Sequence, residues 1–183
     1  SDKMASGDVI DADGCIRPTT SAEALANLKP AFRPDGVVTA GTSSPLTDGA
    51  AAVLVTSDEF AAKHGLKALA RIRSFATVGV DPAIMGIGPI PATRKALARA
   101  GLSAADLDVI EINEAFSSQA LACIRDLGLD PAKINLDGGG LSIGHPLGAT
   151  GARITGKAAS LLARENGRYA LDRVVEIINA LAA

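Results

Sequence analysis

The chain is poor in aromatic residues and in cysteine, and these shortages indicate what its core consists of and which kinds of site it lacks. Its 183 residues include no Trp, one Tyr and four Phe, although 48% of them are hydrophobic. The core must therefore consist mainly of Ala, Leu, Ile and Val, a composition typical of sheets covered by helices. The two cysteines, Cys15 and Cys123, lack the spacing of metal ligands, so we expect reduced thiols and no metal site. Cys123 shares an apolar helix face with Leu127, which predicts a place in the core.

The net charge of the chain is small, and its sequence contains no long apolar run. The formal net charge is −2 and no basic run alternates with aromatic residues, which argues against a nucleic-acid partner. No apolar stretch approaches the ~20 residues of a membrane span, and residues 1–8 lack the apolar core of a signal peptide. We therefore expect a soluble, cytoplasmic protein without a membrane span.

Glycine, by contrast, is concentrated in one loop. Residues 138–151 read GGGLSIGHPLGATG and contain six glycines and one histidine, His145. Glycine tolerates positive φ and lets other groups approach the backbone closely, so we expect the loop to surround a ligand. The loop has neither the Gly-Lys-Ser/Thr nor the Gly-x-Gly-x-x-Gly signature of a nucleotide site. His145 precedes a helix whose positive end favours the neutral imidazole and hence a general base; a surface turn with an incidental histidine is the alternative.

Hydrophobic periodicity predicts alternating strands and helices. The predicted strands are a short one near Val9, then Val37–Ala40, Ala50–Val55, Ala70–Ala76, Leu107–Ile112 and Lys133–Asp137. Helices are predicted from Ser21 to Pro30, from Ser57 to His64, from Ala92 to Ala100, after Asn113 through Leu127, and where Ile154, Ala158, Leu161 and Leu162 share one face. Two loops stand out: in residues 41–49 the hydroxyls either contact a ligand or satisfy their own backbone, and in Val78–Pro91 Met85 either lines an acyl site or fills a gap.

Asn113 stands at the carboxyl end of a predicted strand, where the sequence Asn-Glu-Ala-Phe leads into a helix. In open α/β sheets ligands bind at that edge, and the His145 loop occupies an equivalent position between a strand and a helix. We therefore expect Asn113 and His145 to lie at one rim of the sheet. The alternative is that Asn113 and Glu114 form a plain helix cap.

Together, Asn113–Phe116 and Gly144–Gly151 resemble the motifs of thiolases, the enzymes that cleave or form 3-ketoacyl-CoA esters. The resemblance extends from Arg17 to Ala170 and includes the segments Leu28–Phe32, Thr47–Ala52 and Asp81–Gly86. The amino-acid sequences of Thr42–Ser44 and Cys123–Gly128 are more similar to those of degradative 3-ketoacyl-CoA thiolases than to those of biosynthetic acetoacetyl-CoA thiolases.

The resemblance implies an α/β fold of the layered α/β/α thiolase type, of which this chain is the carboxyl-terminal part with a mixed sheet covered by helices. It divides the chain into residues 1–32, the end of a lid; 33–58, the closing strand region of the first half; 59–171, an incomplete carboxyl-terminal domain; and 172–183, a divergent tail. By the same resemblance the intact enzyme is a homo-oligomer.

The resemblance also implies roles for individual residues. His145 matches the histidine that deprotonates the nucleophilic cysteine and helps hold the thioester oxygen, and Asn113 matches the asparagine that fixes a water in that oxyanion site. Ser44 matches a position that meets the pantetheine arm of CoA, and Met85 and Gly144 are the other expected substrate or CoA contacts. CoA and acyl-CoA are then substrates, with no further cofactor.

Two departures from the family pattern matter. The half that carries the nucleophilic cysteine is not in this chain. The second catalytic cysteine, which the resemblance places in a Cys-x-Gly-Gly-Gly run soon after Tyr169–Leu171, is missing too, because that segment reads DRVVEIINALAA, whose spacing predicts a helix. Removing a nucleophile costs on the order of 10⁶ in turnover, so we expect the chain alone to be inactive. It is either an acyltransferase component completed by the missing amino-terminal half or another subunit, or a non-catalytic CoA-binding or interaction remnant; an acetoacetyl-CoA thiolase is the alternative activity.

Overall fold

A four-stranded mixed sheet lies at the centre of the molecule, with strand order β1-β4-β3-β2. The computed structural model describes the backbone of residues 11–174 and 177–182 and the side chains of residues 11–172, so the strand expected near Val9 lies outside the described residues. The strands are β1 Arg71–Ala76, β2 Val109–Ile112, β3 Tyr169–Val174 and β4 Ile177–Ala182. The helices are α1 Ala22–Ala26, α2 Asp58–Lys63, α3 Pro89–Ala100, α4 Ser117–Leu127, α5 Gly140–Ile143 and α6 Thr150–Arg164.

The pairing of the strands makes the sheet mixed. β2 and β3 run parallel, with Val109 opposite Ala170. β4 runs antiparallel to both of its neighbours, β3 and β1. Since parallel strands need a crossover, α4 and α6 fall in the long connection between β2 and β3.

Alternate residues of the central strands face two different helix layers. Val109 and Ala170 pack in one buried cluster with α6. Ile110 and Leu171, their neighbours in sequence, pack in another cluster with α3 and α4. This alternation has the period of two expected for strands that are covered on both faces. The result is the predicted three-layer α/β/α arrangement.

Most predicted helices are confirmed, with shifted ends. α6 buries Ile154, Ala158, Leu161 and Leu162, the four residues expected on one face. α3 begins at Pro89, three residues before the predicted start, because proline suits the first turn of a helix. It ends at Gly101, whose φ of 68° is a left-handed conformation that glycine adopts without strain.

Three predicted strands are wrong, two of them near the start of the chain. Residues 37–39 have no regular structure, and a 3-10 turn follows at Ala40–Thr42, capped by the Thr39 side chain. Ala50–Val55 has no regular structure either, and Leu54 is 76% exposed. An apolar run reads as a buried strand only if a neighbouring strand pairs with it, and among the described residues none does.

The third wrong strand is Lys133–Asp137. A 3-10 turn at Pro131–Lys133 precedes it, and Ile134 makes only an isolated parallel bridge to Ile110. The next residue, Asn135, has a φ of 47°, which lies outside the β region and ends the extension.

The prediction of a helical tail is also wrong. β3 continues to Val174, and β4 at Ile177–Ala182 lies between β1 and β3. Its backbone therefore satisfies the hydrogen-bonding groups of two strands at once, a gain that a helix in the same place would not provide. A short run rich in Val and Ile fits a buried strand as well as a helix, and periodicity alone does not separate the two.

Candidate active site

Two threonines fix the position and the tautomer of His145. Its backbone N–H donates to Thr47 Oγ1 at 3.2 Å. Its Nδ1 lies 2.7 Å from Thr150 Oγ1, and the Thr150 hydroxyl donates its single proton to the Pro146 carbonyl at 3.0 Å. Thr150 Oγ1 is therefore an acceptor toward the ring, so Nδ1 carries the proton and Nε2 keeps a lone pair.

The Asn113 side chain forms a hydrogen bond with the Nε2 lone pair of His145. This residue follows β2 directly, is only 2% exposed, and has Nδ2 3.2 Å from His145 Nε2. Because Nε2 is an acceptor, the Asn113 amide must present its NH₂ group to the ring. Its Oδ1 is buried and has no hydrogen-bond partner among the described side chains and backbone. The structure thus brings together the two residues expected to meet at the sheet edge.

The environment of His145 favours the neutral ring. Its pKa is lowered from the ordinary value of 6.5, first by burial and then by the positive charge of Arg153. The sequence argument predicted the same direction from the helix N-terminus, but α6 begins only at Thr150, five residues later. A neutral imidazole that keeps its Nε2 lone pair, here in contact with the Asn113 amide, is the form that a general base requires.

Gly144 is needed for packing. It is buried and has a φ of 90°. A Cβ at this position would lie 2.6 Å from Thr47 Oγ1 and 3.0 Å from Cys15 Sγ. The Cys15 thiol in turn lies 3.8 Å from Thr47 Oγ1, the oxygen that accepts the His145 backbone N–H. The segment around Thr47 can therefore support the histidine loop only because residue 144 has no side chain.

The two other expected CoA contacts lie on separate segments. Ser44 is half-buried, and its backbone N–H donates to the carbonyl of Ala115 at 3.0 Å, which places it beside the Asn-Glu-Ala-Phe motif. Met85 is 60% exposed on a 3-10 turn at Pro82–Ile87, which packs on α4. Neither side chain is part of the hydrogen-bonded group around His145.

Hydrogen bonds account for two of the polar segments. The N-cap of α4 is Phe116, with no side-chain cap, so Asn113 does not cap this helix. In residues 41–49 the hydroxyls of Thr42 and Ser43 bond backbone carbonyls of their own segment. The Thr47 hydroxyl likewise donates to the Pro45 carbonyl at 2.8 Å, but its oxygen also accepts the His145 N–H from far along the chain.

Four supporting residues were missed from the sequence: Thr47, Thr150, Glu114 and Asn135. Thr150 lies five residues after His145 within the glycine loop, and that position was the only signal for it. Glu114 accepts hydrogen bonds from Asn135 Nδ2 at 2.7 Å and from the Leu141 backbone N–H at 3.2 Å.

A pair of acids is buried under α6. Glu111 is 1% exposed and lies opposite Asp172 in the β2–β3 register. Asp172 accepts a hydrogen bond from Thr155 of α6 at 3.2 Å. Burial raises the pKa of Glu111 to about 7, and the positive charges of Lys157 and Arg153 on α6 only partly offset this. Glu111 is therefore largely neutral below pH 7.

Other side chains give no second site. Cys123 is fully buried, as predicted, and its thiol contacts the Gly86 carbonyl at 3.6 Å. Within the described part of the chain, no three His, Cys, Asp or Glu side chains are grouped as metal ligands. None of the helices seen in that part combines the length and apolarity needed to cross a membrane.

Family models match nearly the whole chain. The model described as the thiolase carboxyl-terminal domain matches residues 66–178, and the one described as the thiolase amino-terminal domain matches residues 1–59. The chain belongs to the thiolase family. The histidine loop and the Asn-Glu-Ala-Phe motif both lie in the carboxyl-terminal match, whereas Thr47 and Ser44 lie in the amino-terminal one.

Curated relatives agree on the family and are longer than this thiolase chain. It is 56% identical over 165 residues to a 3-ketoacyl-CoA thiolase of Erwinia tasmaniensis, and the match covers 88% of this chain and 43% of the relative. It is 58% identical over 146 residues to an acetyl-CoA acetyltransferase of Paracoccus denitrificans, and the match covers 80% of this chain and 37% of the relative. The chain thus spans less than half the length of these relatives.

A solved structure confirms the fold. The chain is similar to human mitochondrial 3-ketoacyl-CoA thiolase in complex with CoA, with a TM-score of 0.86 and 39% identity. The similarity covers 95% of this chain and 45% of the human one. The layered α/β/α fold is therefore that of a thiolase, and the human protein was solved with CoA bound.

Proposed function

We propose that this chain supplies the His–Asn part of the active site of a 3-ketoacyl-CoA thiolase, which transfers an acyl group between CoA and acetyl-CoA in fatty acid β-oxidation. One observation carries the proposal: Thr150 holds the proton on His145 Nδ1, so Nε2 keeps the lone pair that a base needs and accepts an N–H from the Asn113 amide. The membership of the chain in the thiolase family supports it.

In the proposed reaction, His145 Nε2 takes the proton from the nucleophilic cysteine. The thiolate attacks the 3-keto carbon and the C2–C3 bond breaks. C2 takes a proton from the second catalytic cysteine, which the rest of the enzyme is proposed to supply, and the two-carbon fragment leaves as acetyl-CoA. CoA then attacks the enzyme thioester, releases the shortened acyl-CoA and returns the cysteine as a thiol. The lowered pKa of His145 keeps the base unprotonated at neutral pH.

Asn113 supplies an oriented dipole in this proposal. Its amide directs an N–H at Nε2, and it fixes a water that stabilises the oxygen developing negative charge. The buried Oδ1 without a partner is available to hold such a water. Ser44, Met85 and Gly144 are proposed to contact CoA or the acyl chain, which supports CoA as a substrate and not as a resident cofactor.

The rest of the enzyme has to supply the nucleophile. Cys123 is fully buried, and the contacts of the Cys15 thiol are with Thr47 and Gly144. The partner is therefore the amino-terminal thiolase half, whether on the same polypeptide or another. The exposure of Val53, Leu54 and Val55 supports it, because this apolar run lies in the amino-terminal family match and is not covered by the described residues. The sequence also leads us to propose that the intact enzyme is a homo-oligomer and that it is cytoplasmic.

The test is thiolysis of a medium-chain 3-ketoacyl-CoA, followed by chromatography of the CoA esters. The chain alone should give no turnover. Joined to the parts of the Erwinia tasmaniensis relative that lie outside its match to this chain, which are proposed to supply both catalytic cysteines, it should form the shortened acyl-CoA and acetyl-CoA. No turnover from a folded hybrid that binds CoA would contradict the proposal and favour a non-catalytic CoA-binding remnant.

Two variants of the hybrid assign the roles. His145→Ala should lower turnover far more than it weakens CoA binding, because the base is lost. Asn113→Ala should lower turnover by ~10²–10³, the usual value of one oxyanion contact. His64→Ala is the matched control, because His64 is exposed and stacks on Phe60 of α2. Equal losses of turnover and binding in the His145 variant would make this residue structural.

A second candidate is an acetoacetyl-CoA thiolase. The 58% identity to the acetyl-CoA acetyltransferase of Paracoccus denitrificans favours it. The ratio of kcat/KM for acetoacetyl-CoA to that for the medium-chain substrate separates the two. A hybrid that cleaves only acetoacetyl-CoA would replace the first candidate by the second.

A further inference from the structure

We propose that Glu114 and Asn135 form a clasp that positions Asn113 against His145, and we call this pair the Glu114–Asn135 clasp. The inference deepens the proposed function and rests on it for its catalytic meaning. Neither residue touches the imidazole, so both are positioning residues. The clasp joins the end of β2 to the loop that carries His145.

Asn135 replaces a strand neighbour at the end of β2. Its Oδ1 accepts from the Ile112 backbone N–H at 2.8 Å, and its Nδ2 donates to the Ile112 carbonyl at 2.9 Å. The second Nδ2 proton goes to Glu114 Oε1 at 2.7 Å. All hydrogens of the amide are therefore used, and the φ of 47° at Asn135 turns the side chain back toward β2.

Glu114 extends this contact to α5. Its second oxygen, Oε2, accepts from the Leu141 backbone N–H at 3.2 Å. The carboxylate lies so close to the glycine loop that a Cβ on Gly139 would be 2.5 Å from it and 2.6 Å from Asn135 Nδ2. Each oxygen of Glu114 thus holds a different segment, and residue 139 must be glycine to allow the approach.

The clasp borders the catalytic pair on both sides. Asn113 is the residue before Glu114, and a Cβ on Gly140 would lie 3.2 Å from Asn113 Oδ1. Gly144, next to His145, donates its N–H to the Gly140 carbonyl at 3.1 Å. A displacement of α5 therefore moves the loop relative to Asn113, and this alters the separation of Nδ2 and Nε2.

The test variant is Glu114→Gln in the full chain. Glutamine has one acceptor oxygen, so its NH₂ group must face a donor at either Asn135 Nδ2 or Leu141 N–H. We expect the loop to loosen, the His145 ring to gain water, its pKa to rise and the Nδ1–H tautomer to lose its preference. Loss of the Glu114 charge would by itself lower the pKa of His145, so a rise reports geometry.

The readout is ¹⁵N NMR of the histidine rings over a pH series. The chain has two histidines, and the exposed His64 serves as an internal reference. No turnover is needed, so this measurement is independent of thiolysis. Turnover failing in the hybrid while the NMR shifts occur would overturn the proposed function and leave the clasp intact.

A double variant provides the rescue. In Glu114→Gln with Asn135→Asp, the glutamine NH₂ can donate to the new carboxylate and its oxygen can accept from Leu141. The Ile112 carbonyl loses its donor and faces an oxygen of the new carboxylate instead. We therefore expect the pKa and tautomer of His145 to return part of the way to the values of the original chain.

Asp108→Asn is the structural control. The Asp108 carboxylate also accepts two backbone N–H groups, from Arg168 at 2.7 Å and Tyr169 at 3.0 Å, but at the opposite end of β2. It should lower stability without shifting the His145 signals. An unshifted His145 in folded Glu114→Gln, or an equal shift in Asp108→Asn, would overturn the clasp. If Glu114→Gln does not fold, Glu114→Asp, which shortens the reach to Leu141, decides by the same criterion.

Discussion

A methyl group added at Gly144 tests whether the histidine loop is as closely packed as the distances indicate. Gly144 has a φ of 90°, and the new Cβ would lie 2.6 Å from Thr47 Cγ2 and Oγ1 and 3.0 Å from Cys15 Sγ. Thr47 also accepts the His145 backbone N–H, so it cannot move away without weakening that bond. The substitution therefore combines backbone strain with overpacking next to the proposed base.

The two costs can be separated by magnitude. Gly144 has a φ of 90° and a ψ of 164°, a region open essentially to glycine alone, and holding another residue there costs about 1–3 kcal/mol. Overpacking of a close-packed region costs typically ~1–3 kcal/mol. Gly144→Ala is thus expected to lower the free energy of unfolding by about 2–6 kcal/mol in total.

Two other glycines make matched controls. Gly101 has a φ of 68° and a ψ of 31°, with no atom within 4 Å of its added Cβ, so Gly101→Ala carries only the milder strain of a left-handed conformation, about 1–2 kcal/mol. Gly148 lies in the same loop as Gly144, has no positive φ and also has free space, so Gly148→Ala should change stability by less than about 1 kcal/mol.

The assay is urea unfolding with linear extrapolation, together with the ¹⁵N signals of His145. Gly144→Ala should be the least stable of the three alanine variants and the only one that shifts the His145 signals. A Gly144→Ala chain no less stable than Gly101→Ala would refute the reasoning, because the contacts with Thr47 and Cys15 would then cost nothing.

Three further outcomes follow from burial and hydrogen bonding. The pKa of Glu111 in the folded protein, about 7, lies above its ordinary value of 4.5. The free energy of unfolding is therefore highest below pH 4.5, where Glu111 is neutral in both states, and falls as the pH rises to 7. Glu111→Gln should therefore leave stability unchanged at low pH and raise it above pH 7 by up to about 3 kcal/mol in urea titrations; an equal gain at both extremes would contradict this. Thr150→Val removes the acceptor for His145 Nδ1–H, so ¹⁵N NMR should show loss of the single tautomer, and an unchanged tautomer would place its cause elsewhere. In the native chain a thiol reagent should modify Cys15 quickly and the fully buried Cys123 only on unfolding, as read by peptide mass; rapid modification of Cys123 would contradict its burial.

Local patterns predicted the elements whose reasons are local. The apolar stripe of α6, with Ile154 and Leu161, needs only the 3.6-residue period of a helix, and Gly101 ends α3 by its own backbone freedom. The strands failed where the reason was distant. Ala50–Val55 has the composition of a strand, but pairing depends on a neighbour that the described residues do not provide.

The candidate site divides in the same way. His145 and Asn113 were found because glycine density and the carboxyl end of a strand are visible in the sequence. The clasp was not, because Glu114 reaches Asn135 and Leu141 across 21 and 27 positions. An Asn-Glu pair ahead of a helix fits a cap equally well until the actual acceptor groups are located.

The sequence by itself determined the thiolase membership, the alternating α/β order and the identity of the proposed base, since each is encoded in short motifs. Tertiary structure alone decided the tautomer of His145, the role of Thr47 and Thr150, and the conversion of the predicted tail helix into β4. The physical reason is common to all three. Hydrogen-bond partners and strand neighbours are set by distances in space, and a linear pattern specifies which groups need partners but not which groups supply them.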